Sequence, residues 1–240
     1  MFAVIFEVHP RKERKDEYLH WAKHLKPILE TVDGFIDNER FGSKRTEGSI
    51  LSLSTWRDEK SVVRWRTQSE HHNVQEKGRF EIFEGYHLRV GEVFSDSHPP
   101  QGEAIDEKRF DETVVGAAKV CTVTEVTLAD ESSLVPNGSA LPTHLGLQTG
   151  TQGLIDQEVF ESITNPGKFL LLGSWKDVST AQAFNPRLFA GISSLRHRQV
   201  RVIRDYGMSD RREAPQYYPD VRPAQAGHED VNVRCQNESP

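Results

Sequence analysis

The sequence predicts an α+β chain of two tandem βαββαβ units with antiparallel sheets. Three observations predict it. The first 97 residues alternate strand-like and helix-like hydrophobic patterns in the order strand, helix, strand, strand, helix, strand. The segment GFIDNERF (Gly34 to Phe41) recurs as GLIDQEVF (Gly153 to Phe160). LSLSTWRDEKSVVRW (Leu51 to Trp65) recurs, shortened, as LLLGSWKDVSTAQAF (Leu170 to Phe184). Both matches have one offset, 119 positions, from 34 to 153 and from 56 to 175, and a shared spacing points to duplication. The expected organisation is a first unit over 1–97, a linker over 98–116, a diverged second unit over 117–207 and a tail over 208–240.

The elements follow in order. FAVIFEV (Phe2 to Val8) is rich in β-branched and aromatic residues and reads as a central strand ended by Pro10. From about Arg14 to Thr31, Tyr18, Trp21, Ala22, Leu25, Ile28 and Leu29 recur at helical spacing. Asp33-Gly34 stops that helix, because glycine accepts the left-handed conformation common at helix ends. FIDNERF alternates apolar and polar residues as a half-buried strand does, and SILSLSTW is the third strand. Asp58 is placed to cap a second helix with Val62, Trp65, Ser69 and His72 on one face, and YHLRVGEVF closes the unit. This element order is the ferredoxin-like split βαβ arrangement.

Residues 95–116 are polar and charged and read as a linker with little core of its own. In the second unit KVCTVTEVTLAD stands where the first strand stood. Pro136, Gly138 and Pro142 shorten or break the first helix of this copy, Pro186 interrupts the second, and RHRQVRVIRDY is the last strand. Beyond Gly207 periodicity is lost. That tail is either disordered or an arm held on a partner surface by Tyr217 and Tyr218.

Composition narrows the class. A net charge of −6 argues against nucleic acid, which needs a basic face. The apolar runs are too short to span a bilayer, so no membrane partner is expected. MFAVIFEVHPRK reads as a strand rather than a leader, and Cys121 and Cys235 make no disulfide framework, so the cytoplasm is the expected compartment. Glycine-rich phosphate loops, G-x-S-x-G and C-x-x-C motifs are absent from the sequence.

Candidate chemistry concentrates between Trp56 and His87. Adjacent His71 and His72 can supply an imidazole that takes a proton near neutral pH, or can be a solvated histidine and a helix-end hydrogen bond. On a continuous helix from Asp58, His72 lies near Trp65 and His71 about a quarter-turn aside. Trp56 and Trp65 are either core or ligand platform, and Arg79, Tyr86 and His87 follow the helix toward the mouth of a cleft. His20 and His24 have metal-compatible i, i+4 spacing but no third ligand, so no metal is expected.

STWRDEKSVVRWRTQSEHHNVQEKGRFEIFEGYHLRV resembles the antibiotic biosynthesis monooxygenase (ABM) family of dimeric α+β-barrel proteins. The resemblance spans nearly all of the first unit, and in the second it rests on GLIDQEVF and LLLGSWKD. It implies a barrel of two ferredoxin-like sheets, here a pseudo-dimer within one chain and also open to homodimer formation. The implied activity is an oxidoreductase, a cofactor-independent monooxygenase acting with O2 on a small aromatic or quinol-like substrate in a cleft of the first domain. His72 or His71 would then deprotonate the substrate, while Trp65, Asn73, Arg79, Tyr86 and Trp56 would hold it and its oxyanion. A second branch of the fold binds haem. Its ligand would fall ten or eleven residues after Trp65, where this chain has Gln75 and Glu76, so a haem would need His197 or His144. A third expectation is non-catalytic binding of a small molecule.

Overall fold

A computed structural model describes residues 1–129 and 140–215 of the chain. Its elements run β1 (Phe2–Pro10), α1 (Lys15–Glu30), β2 (Phe35–Ser43), β3 (Ile50–Trp56), α2 (Glu59–Thr67), α3 (Ser69–Lys77) and β4 (Phe83–Asp96). There follow β5 (Val120–Leu128), α4 (Leu141–His144), β6 (Leu154–Ser162), β7 (Lys168–Trp175), α5 (Val178–Ala183) and β8 (Ile192–Gly207). The eight strands close an antiparallel barrel in the order β1-β3-β2-β6-β7-β5-β8-β4. Each half of the chain thus contributes four adjacent strands with its first strand between its third and fourth. Closure leaves no sheet edge.

The pleat explains why β1 reads as almost continuously apolar. Ala3 and Ile5 point into the barrel with Phe41, Leu51, Leu53, Cys121, Leu170 and Val200. Val4 and Phe6 point outward beneath the helices. Two apolar faces leave no polar alternation to read. The first half's helices cover Phe2, Leu29, Trp56 and Val62, and α4 and α5 cover Val120, Leu141, Trp175 and Phe184.

Local geometry repeats between the halves. Trp56 pairs with Phe2 and Trp175 with Val120. The register shifts between Phe35 and Asp37, and again between Leu154 and Asp156. The Asp58 carboxylate accepts from the Ser61 amide at 2.8 Å, and Asp177 accepts from Thr180 at 2.8 Å, each capping a helix. Gly34 and Gly153 precede the bulges with φ of +87° and +78°, and an added Cβ would meet Ser61 Oγ at 2.0 Å and Thr180 Oγ1 at 2.3 Å. Glycine is required at both positions by conformation and by space.

Two arginines tie the halves together inside the barrel. Arg89 donates to Ser174 Oγ at 2.8 Å and pairs with Glu7. Arg198 donates to Thr55 Oγ1 at 2.9 Å and pairs with Glu125. Each guanidinium therefore crosses to the third strand of the other half and pairs with a glutamate on the first strand of its own.

Three expectations need correction. Residues 98–116 are fastened to the barrel rather than loosely linking. The amides of Lys108 and Arg109 donate to the buried Glu92 carboxylate, and Thr113 N donates to Val202 O at 2.8 Å. A buried carboxylate on β4 needs donors, and this segment supplies them. The second helix of the first unit is interrupted at Gln68, which has the extended angles φ −62° and ψ 130°. Finally, the start of the tail is ordered against the barrel through Glu213, whose carboxylate accepts from Thr113 Oγ1 at 2.6 Å and from the amides of Val114 and Asp205 at 2.7 Å. Pro136, Gly138, Tyr217, Tyr218 and Cys235 lie outside the described residues. No described helix is long and apolar enough to cross a membrane.

Candidate active site

Between the outer face of the first four strands and the three helices above them lies a cavity of about 220 Å³. The helix side presents Ala22, Leu25, Val62, Trp65 and Val74, and the sheet side presents Val4, Phe6, Leu88 and Val90. Polar groups enter at intervals, among them Asn38, Ser52, Ser54 and Tyr206. Arg40, Arg66, Arg79, Arg204 and Arg211 line the same space, as does Glu59, which is ion-paired with Arg109. An apolar chamber with convergent cationic and donor groups suits a small molecule that has an apolar body and an anionic end.

His71 lies against one wall. The break at Gln68 restarts the helix, and the Gln68 side chain accepts from the His71 amide at 2.6 Å. That reset changes the helical phase. His71, not His72, meets Trp65, with its ring stacked at 4.0 Å between centroids and 13° between planes. His71 Nδ1 lies 2.8 Å from the Trp65 carbonyl oxygen. A carbonyl only accepts, so Nδ1 carries the hydrogen and Nε2 keeps its lone pair. The Gln75 amide nitrogen lies 3.3 Å from Nε2. Burial pushes the His71 pKa down to about 4, outweighing the carbonyl bond that favours the charged form. The ring is therefore neutral at pH 7.

The remaining site expectations divide. Trp65, Arg79 and Tyr86 line the cavity with His71. Trp56 does not: it is 0% exposed, its Nε1 donates to Ser54 Oγ at 2.9 Å, and its ring meets Phe35 edge-on. It is core, as is Trp175, whose Nε1 donates to Thr122 Oγ1 at 2.9 Å. His72 is half-buried outside the lining, and Asn73 is exposed on the outer side of α3. Both shifts follow from the break at Gln68. His87 is turned the other way, with Nε2 2.6 Å from Asp205. It faces a second, acid-rich cavity of about 480 Å³ at the barrel end, lined also by Glu7, Arg89, Asp156 and Glu158. Although larger, that cavity has lining charges already engaged in ion pairs, among them Arg89 with Glu7 and Arg45 with Asp156 and Glu158.

Several lining residues escaped sequence reading. Phe6 and Trp21 looked like ordinary strand and helix packing. Arg204 and Tyr206 come from β8, which neighbours β4 only because the barrel closes. Arg211 sits in a stretch with no periodicity at all. The burial of Tyr206 raises its phenol to about 12, so it remains a neutral donor.

A haem does not fit the described residues at either candidate histidine. His197 Nδ1 is bonded to Thr124 Oγ1 at 2.8 Å, and its ring meets Phe184 edge-on at 5.6 Å. Its Nε2 is buried without a partner among the described residues, but neither it nor His144 lines any of the three main cavities. The His144 ring packs on Phe189 at 5.0 Å.

His197 shares with His71 a pKa pushed down to about 4 by burial. Both groups protonate in the unfolded chain near pH 6.5 and in the folded chain only near pH 4, so folding excludes protons across that window. Stability is expected to fall as pH drops from 6.5 to 4 and to lose no more to these groups below that. A His197→Gln variant should reduce the difference between urea-unfolding free energies at pH 7 and pH 4.5 by roughly 2 kcal/mol. An unchanged pH dependence would mean that His197 titrates normally.

The model of the antibiotic biosynthesis monooxygenase family matches residues 1–77, the stretch from β1 through α3. A protein of Pyricularia oryzae named jasmonate monooxygenase is 42% identical over 224 residues, covering 91% of this chain and 99% of that one. A Bacillus subtilis protein, YqjZ, is 28% identical over 92 residues, covering 38% of this chain and 78% of its own. Among solved structures, an aldoxime dehydratase in complex with butyraldoxime matches with a TM-score of 0.53 at 14% identity, over 84% of this chain and 79% of that one. That last likeness concerns the fold alone. The extended match to the Pyricularia oryzae protein and the family match over residues 1–77 agree: the chain belongs to the antibiotic biosynthesis monooxygenase family and is a monooxygenase.

Proposed function

We propose that the chain uses O2, without a resident cofactor, to oxidise a small amphipathic ring compound in the first-half cavity. Jasmonate, named for the Pyricularia oryzae relative, is of this class, having a cyclopentanone ring with an apolar side chain and a carboxylate. The aromatic or quinol-like substrates expected from the sequence share the ring and the acidic hydrogen. The observation that carries the reading is His71 in the wall of an apolar chamber, its Nδ1–H held by the Trp65 carbonyl and its Nε2 3.3 Å from the Gln75 amide nitrogen, which a substrate proton would displace.

In this reading His71 Nε2 takes a proton from a carbon beside a carbonyl, or from a phenol. The electron pair left behind spreads onto an oxygen. The low basicity of the empty site is offset as that anion forms, because imidazolium and anion then stabilise one another in a low dielectric. The carbanion reduces O2, a C–O bond forms, and loss of water from the hydroperoxide leaves a carbonyl. A methylene and one O2 become a carbonyl and one water. The substrate provides all four electrons, whereas converting C–H to C–OH would need two more from a reductant.

We also infer that the halves are copies of one βαββαβ module, spanning 1–97 and 117–207. The shared strand order, caps, bulges and crossed arginines support this. The later copy's α5 is six residues long, and Phe184 stacks on Trp175 where the first copy has its chamber. The second copy then serves to complete the barrel, and the site is whole within one chain.

The test is oxygen uptake and ¹⁸O₂ labelling with jasmonic acid and with anthrone, no reductant added. Expected is one O2 consumed per product, one labelled atom retained and no hydrogen peroxide released. No uptake with either compound, or uptake only after adding a nicotinamide or flavin reductant, would overturn the proposal.

A further inference from the structure

The floor of the cavity is a sheet face whose register is fixed. Arg40 on β2 stands beside Ser52 on β3, and the row runs on through Phe6 and Leu88 to Tyr206 on β8. All five line the cavity. The row therefore has an apolar middle, a phenol at one side and a guanidinium beside a hydroxyl at the other. In the next row Asn38 stands beside Ser54 and extends that polar corner.

Hydrogen bonds within the corner leave it rich in donors. The Leu53 carbonyl only accepts, so the atom 2.9 Å from it is Asn38 Nδ2, which also donates to Ser52 Oγ at 3.1 Å. Ser54 Oγ accepts from Trp56 Nε1 at 2.9 Å. Each serine oxygen thus serves as an acceptor, and its own hydrogen is left to donate. Arg40 adds a guanidinium. Its Nε is buried without a partner among the described residues, and no hydrogen bond or ion pair to a described residue holds its Nη groups. Native interiors rarely leave such a donor unpaired, because doing so costs stability.

The second half shows that the barrel itself does not ask for this pair. Offset by the same 119 positions that relate the repeated segments, Val159 and Leu171 stand side by side in the same register. Both are buried in the apolar core beneath α4 and α5. Where the space above the sheet is filled, the pair is apolar. Where it is a chamber, the pair is Arg40 and Ser52.

We propose that Arg40, with the hydroxyls of Ser52 and Ser54, is the subsite that takes the carboxylate of the substrate, leaving its ring over Phe6 and Leu88. This rests on the amphipathic reading above and adds to it a selectivity, acid over ester. A planar guanidinium matches both oxygens of a carboxylate, and each serine hydrogen can meet a remaining lone pair.

The test is calorimetric titration of the full chain, under nitrogen, with jasmonic acid and with its methyl ester, which share the ring and differ in charge. The acid is expected to bind at least about tenfold more tightly than the ester. Arg40→Gln should weaken the acid about tenfold and leave the ester within about twofold, and Arg40→Lys should restore part of the loss. Ser52→Ala should weaken the acid by about threefold. Because Arg40 has no described partner to lose, the thermal midpoint of Arg40→Gln should stay within about 2 °C of the wild type. An acid affinity unchanged in Arg40→Gln would mean that the corner holds solvent only, and would overturn the subsite. Equal losses for acid and ester, no preference in the wild type, binding of neither, or a midpoint lowered by more than about 5 °C would do the same. Oxygen is absent from this titration. A chain that binds the acid through Arg40 but consumes no O2 in the uptake assay keeps the subsite and loses the oxygenase reading. Uptake with jasmonic acid whose kcat/KM is unchanged in Arg40→Gln keeps that reading and loses the subsite.

Discussion

Replacing His71 with alanine is expected to lower oxygen uptake by about a hundredfold, the scale of losing a general base. The ring lies in the cavity wall, stacked on Trp65, and its Nδ1–H is committed to the Trp65 carbonyl, so in the proposed reaction the proton goes to Nε2. His72→Ala should change the rate by less than about twofold, since that side chain does not line the cavity. The pH profile adds a sign. With a pKa near 4, His71 is already neutral at pH 6, so raising the pH from 6 to 8 gains nothing from it, and the rate falls only as the pH approaches 4. A rate that climbs through pH 6.5 and is lost equally in the His72 variant would show that the proton goes to the other imidazole. Circular dichroism of both variants separates loss of chemistry from loss of fold.

Arg89→Met is expected to destabilise the barrel by about 3 kcal/mol, the low end of the usual cost of removing one partner of a buried pair. Arg89 is 3% exposed and bonds to Glu7, Ser174 and, at 3.1 Å, Cys121 Sγ. Its loss leaves Glu7 facing Asp205 across the barrel end with His87 Nδ1, 3.6 Å away, as partial compensation. Removing both charges in Arg89→Met with Glu7→Gln should recover more than about 1 kcal/mol, because a neutral pair needs no counter-ion. Urea unfolding at pH 7 measures both. A single-variant loss below about 1 kcal/mol would mean that Arg89 is not what holds the halves together.

The site was legible in its membership more than in its orientation. Trp65, Arg79, Tyr86 and one imidazole of the His71-His72 pair could be named from residue type and nearness in the chain. Which imidazole meets Trp65 was not legible, because Gln68 is an ordinary helix former and nothing in its side chain announces an extended backbone. Trp56 was equally ambiguous: an indole at a strand end is core or platform according to what packs over it, and here Phe35 does. Arg204, Tyr206 and Arg211 were beyond reach, since each arrives from more than a hundred positions away through strand pairing or a turn after the last strand.

By itself the sequence determined the order of elements, their repetition and the residue types available for chemistry, because hydrophobic period and turn residues act over a few neighbours. Only the tertiary structure decided that eight strands close one barrel, that the helix restarts at Gln68 to press His71 against Trp65, and that the segment after β8 carries an arginine to the cavity. These depend on which distant backbones pair and which buried polar groups find partners. Glu92 and Glu213 settle that by drawing donors from segments without any periodicity to read.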